Sequence, residues 1–217
     1  MIKALLKNAW EILRRPVNPL WLILALGFLL IIPFDAMALS NWRFADKSPA
    51  DNIARIISSR GDFYNGCLVM VAILFATGCL FNKKRFRFLA IAMIFSCMIA
   101  GIITLAVRIT SGRPRPSLDV PDGLYGPRFT PNRHGFLFFD YDYQAFPSGH
   151  ATTAFATAIP VLVVEPLIGI PVVGAALSVT WARLQLKRHR LSDLYMGMLI
   201  GSFFGFAFGA AAKKISS

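Results

Sequence analysis

The sequence predicts an all-α polytopic membrane protein, a bundle of six transmembrane helices in a single domain with an N-terminal amphipathic helix and a long loop after the third span. Three observations predict it. Hydrophobic residues make up 56% of the 217 positions, and the mean hydropathy is +0.57, too apolar for a soluble domain. The apolar residues fall in blocks close to the ~17 to 25 residues that a helix needs to cross the hydrocarbon. The charges concentrate between those blocks.

Six blocks qualify: Leu20–Leu39, Tyr64–Phe81, Phe86–Val107, Ser148–Val164, Pro166–Trp181 and Leu191–Ala212. The fourth and fifth are short and almost fused. Glu165-Pro166 separates them and reads as a tight turn between antiparallel helices. Ahead of the first block, Ile2, Leu5, Leu6, Ala9, Trp10 and Leu13 share one helical face, and Lys3, Lys7, Glu11 and Arg14 the other. Residues 1–17 are thus either a helix in the membrane interface or a cytosolic extension of the first span. Lys3, Lys7, Arg14 and Arg15 before an apolar run and Ala36-Met37-Ala38 imitate a secretory signal. The run is long for a signal core and carries Pro33 and Asp35, so it reads as a retained span. Cys67, Cys79 and Cys97 lie inside the second and third blocks, as small apolar packing residues rather than disulfide partners.

An even number of spans puts both termini on one side, with the loops after the second and fourth spans. That side holds ten of the 23 basic residues, and the other holds thirteen, so a raw positive-inside count decides nothing. Several of the thirteen sit in motifs that suit phosphate, whereas the Asn82–Arg87 cluster has no visible task except orientation. The termini are therefore placed in the cytoplasm, in a bacterial inner membrane, with the far side periplasmic or extracellular. The net charge of +12 divides between anchoring and an anionic substrate; with no soluble basic domain, nucleic acid is not a partner. On the far side, Ser48-Pro49-Ala50-Asp51 reads as a helix start and Gly61 as its stop. The stretch 108–147 is rich in Pro, Gly, Arg and aromatics and lacks a sustained period, which marks a functional loop.

Three clusters of ionisable residues fall on that same far side: Arg108 to Pro116, Pro147-Ser148-Gly149-His150, and Arg183 to Asp193. His189 and Asp193 are four apart, so on a helix the carboxylate accepts the imidazole N–H and leaves the other nitrogen free as a nucleophile. Ser148 and Gly149 open a helix whose free N–H groups bind an anion, with His150 on the first turn as a proton donor. Arg108, Arg115 and Arg183 supply guanidinium forks that match phosphate oxygens. Together these make a phosphoryl-transfer site.

The arrangement resembles the type 2 phosphatidic acid phosphatase superfamily, whose signature runs Lys-x6-Arg-Pro, Pro-Ser-Gly-His, then Ser-Arg-x5-His-x3-Asp. Here it reads Arg108-x6-Arg115-Pro116, Pro147-Ser148-Gly149-His150 and Ala182-Arg183-x5-His189-x3-Asp193, with nine positions identical. Arg108 replaces the family lysine and Ala182 a serine. Arg113-Pro114 also precedes Arg115-Pro116, but counting back seven from Arg113 reaches Ala106, so Arg115 is the phosphate-binding choice. The resemblance also covers the Ile57-Ser58-Ser59-Arg60-Gly61-Asp62 stretch. It implies catalytic His189, His150 and Asp193, phosphate-binding Arg108, Arg115, Ser148, Gly149 and Arg183, and no metal or cofactor. It further implies a phosphohistidine intermediate and a membrane lipid phosphate as substrate: phosphatidylglycerol phosphate, undecaprenyl diphosphate, phosphatidic acid or a lipid A phosphate. A lipid-linked phosphotransferase is the alternative, followed by a metal site of His150, His189 and Asp193 and by a noncatalytic transporter or scaffold. The oligomeric state is left open.

Gly197, Gly201, Gly205 and Gly209 recur every fourth residue in line with Asp193. Such a stripe admits a close helix neighbour, in the bundle or in a dimer. Phe136, Phe138, Phe139, Tyr141, Tyr143 and Phe146 read as an interfacial aromatic belt or a rim of the pocket, and Arg133 and His134 as surface residues.

Overall fold

The computed structural model describes residues 2–14, 18–61, 63–118, 120–127, 129–130, 135–136 and 140–216. Arg15, Asp62, Arg133, His134, Phe138 and Phe139 lie outside them. The chain opens with α1 (Ile2–Leu13), whose Leu5 and Ala9 are buried in the main core. Next come α2 (Pro19–Ile31), a 3-10 turn over Ile32–Phe34 containing Pro33, and α3 (Asp35–Asn41). Together these form one apolar span, Pro19–Asn41, of 23 residues. Its start follows from Asn18, whose side chain accepts from the Leu20 N–H, and Pro19 at the first helical position. No residue of α2 is buried in protein, as expected where the surrounding solvent is lipid.

Helix α4 (Pro49–Arg60) begins on Ser48, which caps the Asp51 N–H, and stops at Gly61, as its start and stop signals predict. It is followed by a π-helical segment, Phe63–Leu68, and α5 (Val69–Leu80), bent by 68° from α4. Helix α6 runs from Lys84 to Ser111 and ends on Gly112, which is left-handed with φ 57°. A Cβ there would sit 2.4 Å from the Gly126 carbonyl oxygen, so Gly112 is required both for conformation and for space. The loop beyond holds two paired two-residue strands, β1 (Phe129–Thr130) and β2 (Gly135–Phe136), and a 3-10 turn over Tyr141–Tyr143. Then come α7 (Gly149–Val164), α8 (Pro166–Gln185) and α9 (Leu191–Ser216), with Glu165-Pro166 as the turn between α7 and α8.

The protein is helical and integral to the membrane. Four of its described helices or helix combinations are long and apolar enough to cross, or five if the bent α4–α5 pair is one span. The sequence expectation of six is thus not met by length: the second block is broken at its start, and α7, in place of the fourth, has only 16 residues.

Helix α9 packs against α7 through the glycine stripe. A Cβ at Gly197 would meet the Ser148 carbonyl oxygen at 2.5 Å, and one at Gly201 the Thr152 carbonyl oxygen at 2.3 Å. The stripe therefore belongs to the bundle and brings backbone to backbone. The core beneath it joins Leu89, Met93 and Cys97 of α6, Val161 and Val164 of α7, and Phe208 and Ala212 of α9. Cys67 and Cys97 are buried as free thiols, while Cys79 is exposed, contrary to a packing role. At the other end of the bundle Arg85 bonds the Glu165 carboxylate at 2.8 Å and the Val164 carbonyl, so the Asn82–Arg87 cluster, expected only to orient the chain, has a contact of its own in the fold.

Candidate active site

The starts of α7 and α9 and the ends of α6 and α8 meet at one end of the bundle, where Arg113 to Arg115 and Asp142 to Ala145 of the loop after Gly112 lie against them. Residues Arg113 to Arg115 run beside Asp142 to Ala145: the Arg115 N–H donates to the Asp142 carbonyl at 2.8 Å and the Ala145 N–H to the Arg113 carbonyl at 3.0 Å. That pairing fixes where the Ala145 carbonyl points.

It points at His189. The imidazole is fully buried, with Nδ1 2.8 Å from the Ala145 oxygen. A carbonyl only accepts, so Nδ1 carries the proton and Nε2 a lone pair. Among the described residues Nε2 has no hydrogen-bond partner. Burial first, then the Arg115, Arg183 and Arg108 guanidiniums, hold the imidazole pKa well below its ordinary 6.5, against a smaller opposite pull from Ala145. The ring is neutral at pH 7.

Asp193 is not its hydrogen-bond partner. The nearest carboxylate oxygen is 3.9 Å from Nδ1, beyond bonding distance. The four-residue spacing misleads because α9 starts only at Leu191, so His189 precedes the helical turn. Asp193 instead sits at the third helical position and reaches back to the Arg190 N–H at 2.8 Å, half of a capping box, while Arg113 Nη1 bonds its other oxygen at 2.6 Å.

At the start of α7 the Phe146–Pro147 peptide is cis, and Ser148 is the N-cap. Its N–H donates to the Asp193 carbonyl at 2.9 Å, tying α7 to α9. His150 lies on the first turn, half-buried. Gly149 gives room to Arg108, whose Nη1 would be 3.0 Å from a Cβ there.

Each arginine is aimed by a different element. Arg108 Nε donates to the Gln144 carbonyl at 2.9 Å. Arg115, wholly buried, donates to the carbonyls of Tyr141 and Arg188 at 3.1 and 3.2 Å and lies 3.9 Å over the Tyr141 ring. Arg183 Nη1 donates to Ser58 Oγ of α4 at 2.8 Å. Among the described residues Arg115 Nη2 and Arg183 Nε have no hydrogen-bond partner and none of the three arginines makes an ion pair with a carboxylate. Buried guanidinium N–H groups without an acceptor are costly, and an anion removes that cost. Among the described residues, no three His, Cys, Asp or Glu side chains are grouped to hold a metal ion.

Of the Arg-Pro pair, Arg113 serves carboxylates and Arg115 faces His189. The sequence does not single out Ser58, Ala145, Arg113 and Asp35 as site residues: Ser58 falls within the Ile57–Asp62 stretch that the resemblance covers, but a backbone carbonyl such as that of Ala145 leaves no trace in sequence.

Membrane-spanning helices around a buried histidine and its arginines place this chain among integral membrane phosphatases. It belongs to the PAP2 superfamily, whose family model matches residues 89–215. Its fold is similar to the crystal structure of Aquifex aeolicus LpxE, with a TM-score of 0.55 and 18% identity, covering 82% of this chain and 94% of that one. No curated protein matches it.

Proposed function

We propose that the protein removes phosphate from a membrane lipid phosphate through a phosphohistidine. The observation that carries this reading is a neutral His189 with a bare Nε2 beside arginines that lack carboxylate partners. The Nε2 lone pair attacks phosphorus, the ester P–O bond breaks, and His150 gives its proton to the departing lipid oxygen. Water then attacks phosphorus, His150 takes its proton, the P–N bond breaks and inorganic phosphate leaves. Arg108, Arg115, Arg183 and the α7 N-terminus with Ser148 and Gly149 hold the phosphoryl oxygens as charge builds on them. Asp193 holds the start of α9, which follows His189 by two residues, through the Arg190 N–H.

The site lies at the end of the bundle away from Arg85, α1 and Lys214. We place that end on the periplasmic or extracellular face of an inner membrane, with α1 lying in the cytoplasmic interface. The substrates that suit it are phosphatidylglycerol phosphate, undecaprenyl diphosphate, phosphatidic acid and lipid A phosphate. The test is phosphate release from these four by the purified protein and by His189→Ala. Release by the wild type alone, with acid-labile phosphate trapped on it, is expected. Release by neither, or equal release by both, overturns the reading; a phosphorylated acceptor in place of free phosphate makes the protein a phosphotransferase.

A further inference from the structure

A second cluster of buried charge adjoins His189, and of its members the phosphate chemistry above uses only Asp193. Arg113 commits its whole guanidinium to acceptors: Nε and Nη2 to Asp122 at 2.9 and 2.7 Å, Nη2 also to Asp35 at 3.0 Å, and Nη1 to Asp193 at 2.6 Å and Ser192 Oγ at 2.7 Å. Asp35, the first residue of α3, accepts further bonds from the Ser192 N–H at 2.8 Å and its hydroxyl at 2.5 Å. Arg190 reaches Asp122 at 3.2 Å. Asp35, Arg113, Ser192 and Asp193 are all buried. A buried carboxylate is tolerated only when paired and hydrogen-bonded, so this geometry is tightly determined. Asp35 lies outside the family match of residues 89–215.

The geometry points to Asp35 as a positioning residue: from the first span it holds Arg113 and Ser192, and through them turns the Asp193 carboxylate away from His189, leaving Ala145 as the partner of the imidazole. Its catalytic consequence rests on the reading of His189 as nucleophile. Arg113 divides its charge among three carboxylates. With the Asp35 charge removed, more of it falls on Asp193, and an imidazolium at position 189 becomes harder to form. With Arg113 removed, Asp193 is released and the imidazolium becomes easier to form. The charged groups facing this pair are Arg108 from α6, Arg115 and Asp122 from the loop, Arg183 from α8, and Arg190 before α9.

The test uses the full-length protein in detergent micelles with nitrogen-15 histidine, His189 being assigned by its loss in His189→Ala. Asp35→Asn is expected to lower the pH at which His189 protonates and Arg113→Gln to raise it, the latter by on the order of one pH unit. Asp35→Glu is expected to return the midpoint toward that of the wild type. A mere packing role predicts no such opposition, so shifts of one sign, or none, in monodisperse variants overturn the inference. Wild type alone also decides: a His189 Nδ1 proton shifted as for a carbonyl acceptor supports it, and one shifted far downfield, as for a carboxylate, overturns it. In turnover of short-chain phosphatidic acid, Asp35→Asn is expected to lower kcat about tenfold with KM nearly unchanged, the split expected when orientation rather than binding is lost. If the wild type turns over no lipid phosphate, the phosphatase reading falls, while the histidine spectra still decide the role of Asp35.

Discussion

His189 sits where its charge is least welcome, and that has consequences for both rate and stability. In the proposed reaction the neutral form is the nucleophile, and burial with Arg115, Arg183 and Arg108 keeps it neutral below the ordinary 6.5. Activity is therefore expected to persist at pH 6 and to fall only as the pH passes through the depressed pKa. Stability follows the same sign, because the unfolded chain binds a proton at His189 that the folded protein does not. The contribution is full above about pH 6.5 and is lost as pH falls toward the folded value. A thermal-shift series from pH 7.5 to 5, compared with His189→Asn, reads this directly: the wild type is expected to lose more stability than the variant. Arg115 offers the complementary case. Its fork bonds two carbonyls and leaves Nη2 without a partner among the described residues, so if it holds the phosphoryl group as proposed, Arg115→Lys is expected to lower kcat/KM about a hundredfold. Both residues are singled out in sequence, His189 by residue type and spacing and Arg115 by the register of the family signature, and the structure places both in one buried cluster. Sequence alone misassigns the partner of His189 because the acceptor is a backbone carbonyl, placed by the pairing of residues 113–115 with 142–145.

Elements transmit position to the site. Helix α4 looks like a surface helix in sequence, yet its Ser58 holds Arg183 from 125 residues away in the chain. Ser58→Ala is expected to lower kcat/KM roughly tenfold while leaving the thermal midpoint little changed, because one oriented hydrogen bond to a charged group is lost and no packing is. The glycine stripe of α9 separates packing from positioning along one helix. A Cβ at Gly197 collides with the Ser148 carbonyl at the N-cap of α7, whereas one at Gly209 meets Pro160 Cα at 2.8 Å, farther along the bundle. Both Gly→Ala variants are expected to cost about 1–3 kcal/mol of stability. Only Gly197→Ala is expected to depress activity more than its loss of folded protein explains. Gly174, with nothing within 4 Å of a built Cβ, is the control: Gly174→Ala is expected to be neutral or stabilising by up to about 1 kcal/mol. The four-residue period was legible in the sequence; its partner was not, because helix contacts depend on how the bundle closes. The break after Gly61 was legible as a stop but not as a 68° bend.

At the scale of the whole molecule, charge is sorted to the two ends of the bundle for different reasons. One end gathers Arg108, Arg113, Arg115, Arg183 and Arg190 into bonds with carbonyls, carboxylates and two serines. The other carries α1, Lys213 and Lys214 near Glu11, and Arg85 clamped on the turn between α7 and α8. Arginines buried in a folded site exert their bonds only after folding, whereas lysines and arginines on short terminal segments and turns act during insertion, when positive charge is retained in the cytoplasm. A simple count of the two sides was inconclusive because it weighed both kinds alike. Discounting the buried set predicts that the end with the termini is cytoplasmic. In a cysteine-free background, a cysteine at Lys187, which is 44% exposed at the site end, is expected to react with a membrane-impermeant maleimide added to intact cells. A cysteine at Lys214, 64% exposed at the other end, is expected to react only after the membrane is permeabilised. The reverse pattern would invert the topology and put phosphate release inside the cell. Neutralising Lys83, Lys84 and Arg87 while keeping Arg85 on Glu165 is expected to yield a mixture of both labelling patterns, since the insertion signal is weakened and the folded contact at that turn is preserved.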